Sequence, residues 1–170
     1  MRLILSDIDG VLTTGHLAQF PDGAITKTFH VADGLAVKLA HRAGIGVGWI
    51  TGRSDPASAQ RAHELGVSPF LAGIQDKGEA FTEVAAALSL DSSQIAYIGD
   101  DLPDLPALRR AGFAVTVATA GQDLRKAADW VARTPPGCGV LREVVELVLR
   151  SQGRWADALV PYLPGRDPAE

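Results

Sequence analysis

Ser6-Asp7-Ile8-Asp9-Gly10-Val11-Leu12-Thr13 sets two carboxylates at the end of an apolar run and turns the backbone immediately afterwards. Leu3, Ile4 and Leu5 read as a buried strand, and Gly10 supplies the flexible turn where such a strand leaves a sheet. In an extended segment residues i and i+2 share a face, so Asp7 and Asp9 can reach one site. Two carboxylates converging there repel unless a cation intervenes. Magnesium, which takes carboxylate and carbonyl oxygens, suits that place. Asp9-Gly10 alone reads equally well as a hairpin turn between two apolar strands, and the rest of the chain decides between the two.

Downstream, strand and helix alternate. His16 to Phe20 and Ala24 to Phe29 flank Pro21-Asp22-Gly23, which predicts a hairpin over about 16–29 with a polar tip. A helix is expected to start at Asp33-Gly34 and stop near Gly44, followed by a strand from Ile45 to Ile50. Ser54 or Asp55 can cap a helix to about Leu65, with Pro56 in its first turn and Gly66 past its end. Phe70 to Ala72 reads as a short strand, Lys77 to Leu88 as a helix and Ile95 to Ile98 as a strand. Shorter elements over 105–131 and an apolar helix from Val140 to Leu149 complete the pattern. Such alternation predicts an α/β fold, a doubly wound and mostly parallel sheet with helices on both faces. Residues 154–170, with Pro161, Pro164 and Pro168, read as an extended tail beyond a domain of residues 1–153.

Composition limits the function. With 170 residues, 46% hydrophobic and 21% charged, a single globular domain is expected. A net charge of −4 with scattered Lys and Arg speaks against a nucleic-acid binder. One cysteine, Cys138, excludes an internal disulfide, and neither a signal peptide nor a membrane-length apolar run is present, so a cytoplasmic protein is expected.

Ligands of open α/β sheets bind at the carboxyl ends of the strands, where the polar residues of this chain fall. Asp7 follows the first strand, Thr51-Gly52-Arg53-Ser54 the second, Lys77 lies beyond the third, and Gly99-Asp100-Asp101-Leu102-Pro103-Asp104 follows the fourth. Each alone has an ordinary explanation as a turn, a solvated lysine or a helix cap. The aspartates of 100–104 lack the spacing and distal Glu of a calcium loop.

Taken in order, Asp7-x-Asp9-Gly10-Val11, Thr51-Gly52-Arg53, Lys77 and Gly99-Asp100-Asp101 resemble the four motifs of the haloacid dehalogenase superfamily of aspartate-nucleophile phosphatases. Asp9 to Thr13, Phe29-His30-Val31-Ala32-Asp33-Gly34, Ile50 to Ser54, Tyr97 to Asp104 and Arg142-Glu143-Val144 resemble its 3-deoxy-D-manno-octulosonate 8-phosphate phosphatase branch, over residues 2 to about 153. That branch is similar to phosphatases of nine-carbon sugar-acid 9-phosphates. The resemblance implies a Rossmann-like fold with a hairpin flap and no large cap domain. It also implies a homotetramer with paired hairpins and a role in lipopolysaccharide biosynthesis.

The resemblance further implies that Mg2+ is held by the Asp7 carboxylate, the Asp9 backbone carbonyl and Asp100, with Asp101 and Asp104 nearby. Asp7 would attack phosphorus, Asp9 would serve as general acid and then base, Thr51 would hydrogen-bond the phosphoryl group, and Lys77 would neutralise its charge. His30, Val31, Ala32, Asp33, Gly34, Lys38, Gly52, Arg53 and Arg61, together with Asp9, Thr51 and Lys77, would contact substrate. Three positions depart from the family pattern: Thr14 and His30 replace its usual Asp and Asn, and Pro135-Pro136-Gly137-Cys138-Gly139-Val140 stands for Gly-Gly-Arg-Gly-Ala-Val. A receiver domain also combines Asp, Thr and Lys on such a sheet, but its acidic pair precedes its acceptor Asp. A non-catalytic assembly module would have little use for this set of residues.

Overall fold

The computed structural model describes residues 1–163. Six parallel strands form one sheet: β1 (Leu3–Ser6), β4 (Gly46–Ile50), β5 (Phe70–Leu71), β6 (Ile95–Gly99), β7 (Phe113–Val117) and β8 (Trp130–Ala132), in the order β5-β4-β1-β6-β7-β8. The chain runs outward from β1 through β4 to β5 and returns to β6 on the other side of β1. The strand order therefore reverses at β1, and the crevice beyond its carboxyl end is where such folds bind ligands. Buried strands without polar alternation, such as Leu3-Ile4-Leu5, are what a sheet covered on both faces requires.

Helices supply the cover. α1 (Val31–Arg42) packs against α6 (Val140–Ser151) and α2 (Pro56–Leu65), whereas α3 (Lys77–Ala87) packs against α4 (Leu105–Leu108), itself in contact with α5 (Gln122–Ala127). In α6, Val140, Leu141, Val144, Val145, Val148 and Leu149 recur every three to four residues and form a fully buried stripe. Asp55 caps α2 by accepting the Ser58 amide at 2.8 Å, with Pro56 in the first turn and Gly66 left-handed at the end, as the sequence predicts.

Three expectations require correction. First, α1 begins at Val31, two residues early, because the Nδ1 of His30 accepts the Ala32 amide and caps it. Asp33 is free of that task. It is buried, and its Oδ1 accepts the Arg142 amide at 2.9 Å, so it caps α6 from another helix where Gly139 has no side chain to do so. Second, the hairpin pairs only over β2 (Ala18–Gln19) and β3 (Ile25–Thr26), and much of 16–29 is loop. Third, the segment after 154 is not extended. α7 (Trp155–Leu159) and a 3-10 turn over Val160–Tyr162 pack onto the domain, with Ala158 buried and the Trp155 ring lying 5.3 Å and 4.8 Å from the Arg142 and Arg150 guanidinium carbons. The remainder of that expected tail, 164–170, lies outside the described residues.

Candidate active site

Each predicted motif at a strand end reaches one cavity of about 360 Å3 beyond the carboxyl ends of β1, β4 and β6, lined by Asp7, Asp9, Thr51, Gly52, Arg53, Lys77 and Asp100 with Ile74, Gln75, Asp101, Pro103 and Asp104. Asp7 directly follows β1, and its amide donates to Ile98 O at 2.9 Å, so the sheet itself fixes the carboxylate-bearing backbone. Gly10 is required at the turn. Its φ is +99°, and a Cβ there would stand 2.0 Å from Asp100 Oδ2, so only glycine lets the β6 loop close over the β1 loop.

Lys77 is the first residue of α3, a helix capped by Asp76. A cation at the positive end of a helix is unfavourable unless anions face it. Here they do: Lys77 Nζ donates to Asp7 Oδ1 at 2.5 Å and to Asp104 Oδ1 at 2.7 Å, with all three side chains buried. Burial alone would depress the lysine, but Asp7 and Asp104 outweigh it and hold it above its ordinary pKa.

Oxygens of Asp7, Asp100 and Asp104 lie within 4.8 Å of one another. Their engagements separate their roles. Asp104 Oδ1 accepts from Lys77 and from the buried Tyr97 hydroxyl at 2.7 Å, and its Oδ2 accepts the Asp100 and Asp101 amides at 3.0 and 3.2 Å. Asp104 is thus a scaffold for the loop. Asp100 shows the uncompensated charge: burial, then Asp7 and Asp104, push it up to about 8. Burial, then Asp104, push Asp7 to about 6 against the pull of Lys77. Two crowded carboxylates with raised proton affinity are the oxygen donor set that a hard divalent cation fits, so Asp7 and Asp100 could hold one.

Thr51 is buried, and its Oγ1 accepts the Arg53 amide at 3.2 Å, which leaves the hydroxyl proton to donate toward the cavity. Arg53 is exposed, with Nε 3.9 Å from Asp9 Oδ2.

The expected substrate contacts divide into two groups. Asp9, Thr51, Gly52, Arg53 and Lys77 line the cavity; His30, Val31, Ala32, Asp33, Gly34, Lys38 and Arg61 cluster around α1 and do not. Val31 is 80% exposed and Lys38 is exposed, while Asp33 faces α6. Arg61 crosses from α2 to α1: a Cβ on Gly34 would stand 2.7 Å from its guanidinium, whose Nη1 also pairs with Glu64 at 2.8 Å.

Sequence reasoning missed Lys27. Its fully buried ammonium lies 2.8 and 2.9 Å from the two Asp9 oxygens and 2.7 Å from Asp55 Oδ2. A signal existed: in Ile25-Thr26-Lys27-Thr28-Phe29 the lysine shares a face with Ile25 and Phe29, and Phe29 stacks on the buried Trp49 ring.

Fold and site together define a haloacid dehalogenase-like hydrolase, the family that residues 70–144 match. A 3-deoxy-D-manno-octulosonate 8-phosphate phosphatase of Haemophilus influenzae is 36% identical over 154 residues, covering 91% of this chain and 86% of the relative. Its counterpart in Escherichia coli K12 is 36% identical over 158 residues, covering 93% and 84%. The crystal structure of the Moraxella catarrhalis phosphatase of that name, in complex with magnesium ion, phosphate ion and a KDO molecule, matches with a TM-score of 0.93 at 37% identity, over 96% of this chain and 94% of that one. The chain belongs to the 3-deoxy-D-manno-octulosonate 8-phosphate phosphatase family.

Proposed function

We propose that this chain is a Mg2+-dependent phosphatase of a sugar-acid phosphate, 3-deoxy-D-manno-octulosonate 8-phosphate, working through an aspartyl-phosphate. The observation that carries this reading is the grip of Lys77 on Asp7 in a cavity that Asp9 also lines. One carboxylate is held by a buried cation, and the other reaches the same space from two residues further on. The names of the relatives supply the substrate class, and the magnesium in the Moraxella catarrhalis complex supplies the ion.

Asp7 and Asp100, with the Asp9 backbone carbonyl, would hold the ion, which lowers the repulsion between anionic nucleophile and anionic phosphate. An Asp7 oxygen forms a bond to phosphorus as the bond to the sugar oxygen breaks, and the Asp9 carboxyl gives its proton to that oxygen. Water then attacks phosphorus, its proton passes to Asp9, and the bond to Asp7 breaks, releasing inorganic phosphate. Thr51 and Lys77 donate to phosphoryl oxygens on which charge accumulates. Arg53 at the mouth suits the sugar carboxylate by its planar fork, with Arg61 and Lys38 further out.

A second substrate reading, a nonulosonate 9-phosphate, is favoured by the loop 135–139. It presents the exposed, uncharged Cys138 in the stretch where the family pattern carries an arginine, so weaker discrimination between the two acids is proposed. The short exposed hairpin, with Phe20 at 52% exposure, supports the proposed homotetramer in which neighbours cover each site. Among the described residues no helix is long and apolar enough to cross a membrane; cytoplasmic placement remains part of the proposal. The test is steady phosphate release from both sugar acids with and without chelator, alongside light scattering. Turnover that survives chelation would overturn the Mg2+ assignment.

A further inference from the structure

We infer that Lys27 is a positioning residue for the acid-base group, and that it aims the Asp9 carboxylate by tying it to the N-terminus of α2. This rests on the role assigned to Asp9 above. An ammonium carries three protons, and the structure provides three acceptors: Asp9, Asp55 Oδ2 at 2.7 Å and Ser58 Oγ at 3.2 Å. Asp55 cannot swing away, because its Oδ1 accepts the Ser58 amide as the cap of α2 and its Oδ2 also accepts the Ser58 hydroxyl at 2.9 Å. The helix cap fixes Asp55, Asp55 and Ser58 fix the ammonium, and the ammonium donates to Asp9 Oδ2 with Oδ1 2.8 Å away.

Partial exposure distinguishes this arrangement from a plain core crosslink. Lys27 and Asp55 side chains are 0% and 4% exposed, but the Asp9 side chain at the far end is 19% exposed and lines the cavity. Burying an ammonium is costly before pairing, and a crosslink serving stability alone would not need to end on a group open to the cavity. The other cation near Asp9, Arg53, stands 3.9 Å away and is exposed, so Lys27 is the group that sets the carboxylate's orientation. Lys27 also lies directly after β3, so the stem of the hairpin is pinned to the acid-base group it borders.

If Lys27 acts through Asp9, losing it slows formation of the aspartyl-phosphate on the substrate whose leaving oxygen needs a proton and spares that step on one that does not. The full chain with Mg2+ is assayed on 3-deoxy-D-manno-octulosonate 8-phosphate and on p-nitrophenyl phosphate, for wild type, Lys27→Met, Asp9→Asn and the double variant. Lys27→Met is expected to lower kcat/KM, which reads the steps up to release of the leaving group, about 10–100-fold on the sugar phosphate and less than about 3-fold on the aryl phosphate. In the Asp9→Asn background it should cost less than about 3-fold more on either substrate. Equal losses on both substrates, or losses that multiply with those of Asp9→Asn, overturn the inference. If Asp9→Asn is itself unselective, it is the assigned role of Asp9 that falls.

Should Lys27→Met fail to fold, Asp55→Asn decides. Asparagine still caps α2, but the anchor loses its charge, so a loss selective for the sugar phosphate supports the inference. The absence of a selective loss overturns it.

Discussion

Lys77 Nζ meets Asp7 Oδ1 across 70 positions of sequence, and the same nitrogen holds Asp104 Oδ1 at 2.7 Å. One buried cation therefore serves two buried carboxylates. Removing it by Lys77→Met strands both, and breaking a buried pair costs about 3–5 kcal/mol. We expect a lower Tm that added Mg2+ partly restores, and at least a thousandfold loss of phosphate release. Retention of activity within a few-fold would show that Asp7 does not depend on this partner.

Gly10→Ala tests how tightly the two acidic loops approach. The added Cβ would collide with Asp100 at 2.0 Å on a backbone with φ +99°, a conformation side chains rarely adopt. The site, not the core, takes the damage. Titration calorimetry should show Mg2+ affinity reduced at least tenfold while the far-UV spectrum stays that of the wild type. Unchanged Mg2+ binding would mean that Asp100 is not a ligand.

Binding of Mg2+ should also depend on pH. Asp100 and Asp7 hold protons more firmly than ordinary carboxylates, Asp100 pushed to about 8 by burial and by Asp7 and Asp104, Asp7 to about 6 by burial and by Asp104, and an ion must displace those protons. The rise in Tm at fixed Mg2+ is expected to grow between pH 6 and 8.5. A rise of equal size at both pH values would contradict the shared donor set.

Asp33 gives a separate pH signature away from the cavity. Burial pushes its carboxyl from 3.8 up to about 6, against the Arg142 amide and the nearby His30 and Arg61. The folded chain thus binds this proton more tightly than the unfolded one, so the contribution is present below about pH 4 and is lost as pH rises through about 6. Asp33→Asn keeps an oxygen for the Arg142 amide and cannot ionise. Relative to wild type it should gain stability across that window and stay ahead above it, by about 1–3 kcal/mol. Denaturant melts at pH 5.0 and 7.5 read the difference directly, and an equal change at both values would refute the assignment.

What could be read from the sequence follows from the range of each interaction. Strand ends are local: an apolar run stops, a polar residue follows, and the parallel sheet brings Asp7, Thr51 and Asp100 together whatever the side chains do elsewhere. Lys77 was legible from its place beyond the third strand and from the family motif, whereas the Asp76 cap that starts its helix emerged only in the structure. The tie from Lys27 to Asp9 and Asp55 was not, since it joins residues 18 and 28 positions apart through side chains alone. Asp33 misled for the same reason: it looks like a cap for its own helix but caps α6, 109 positions away. Prolines suggested an extended tail after 154, yet Pro161 sits in a 3-10 turn, where its missing amide costs nothing, and Trp155 lies against two arginines.

The central claim is that Asp7 attacks the phosphorus of a sugar-acid phosphate. Phosphate release by wild type and Asp7→Asn, with Mg2+, from 3-deoxy-D-manno-octulosonate 8-phosphate and glucose 6-phosphate tests it most directly. The account predicts a wild type about a hundredfold more efficient on the sugar acid, since a second anion bound through charge-assisted hydrogen bonds contributes a few kcal/mol. It predicts a folded Asp7→Asn with no turnover on either substrate. Undiminished activity in Asp7→Asn, or equal efficiency of the wild type on the two substrates, would contradict it.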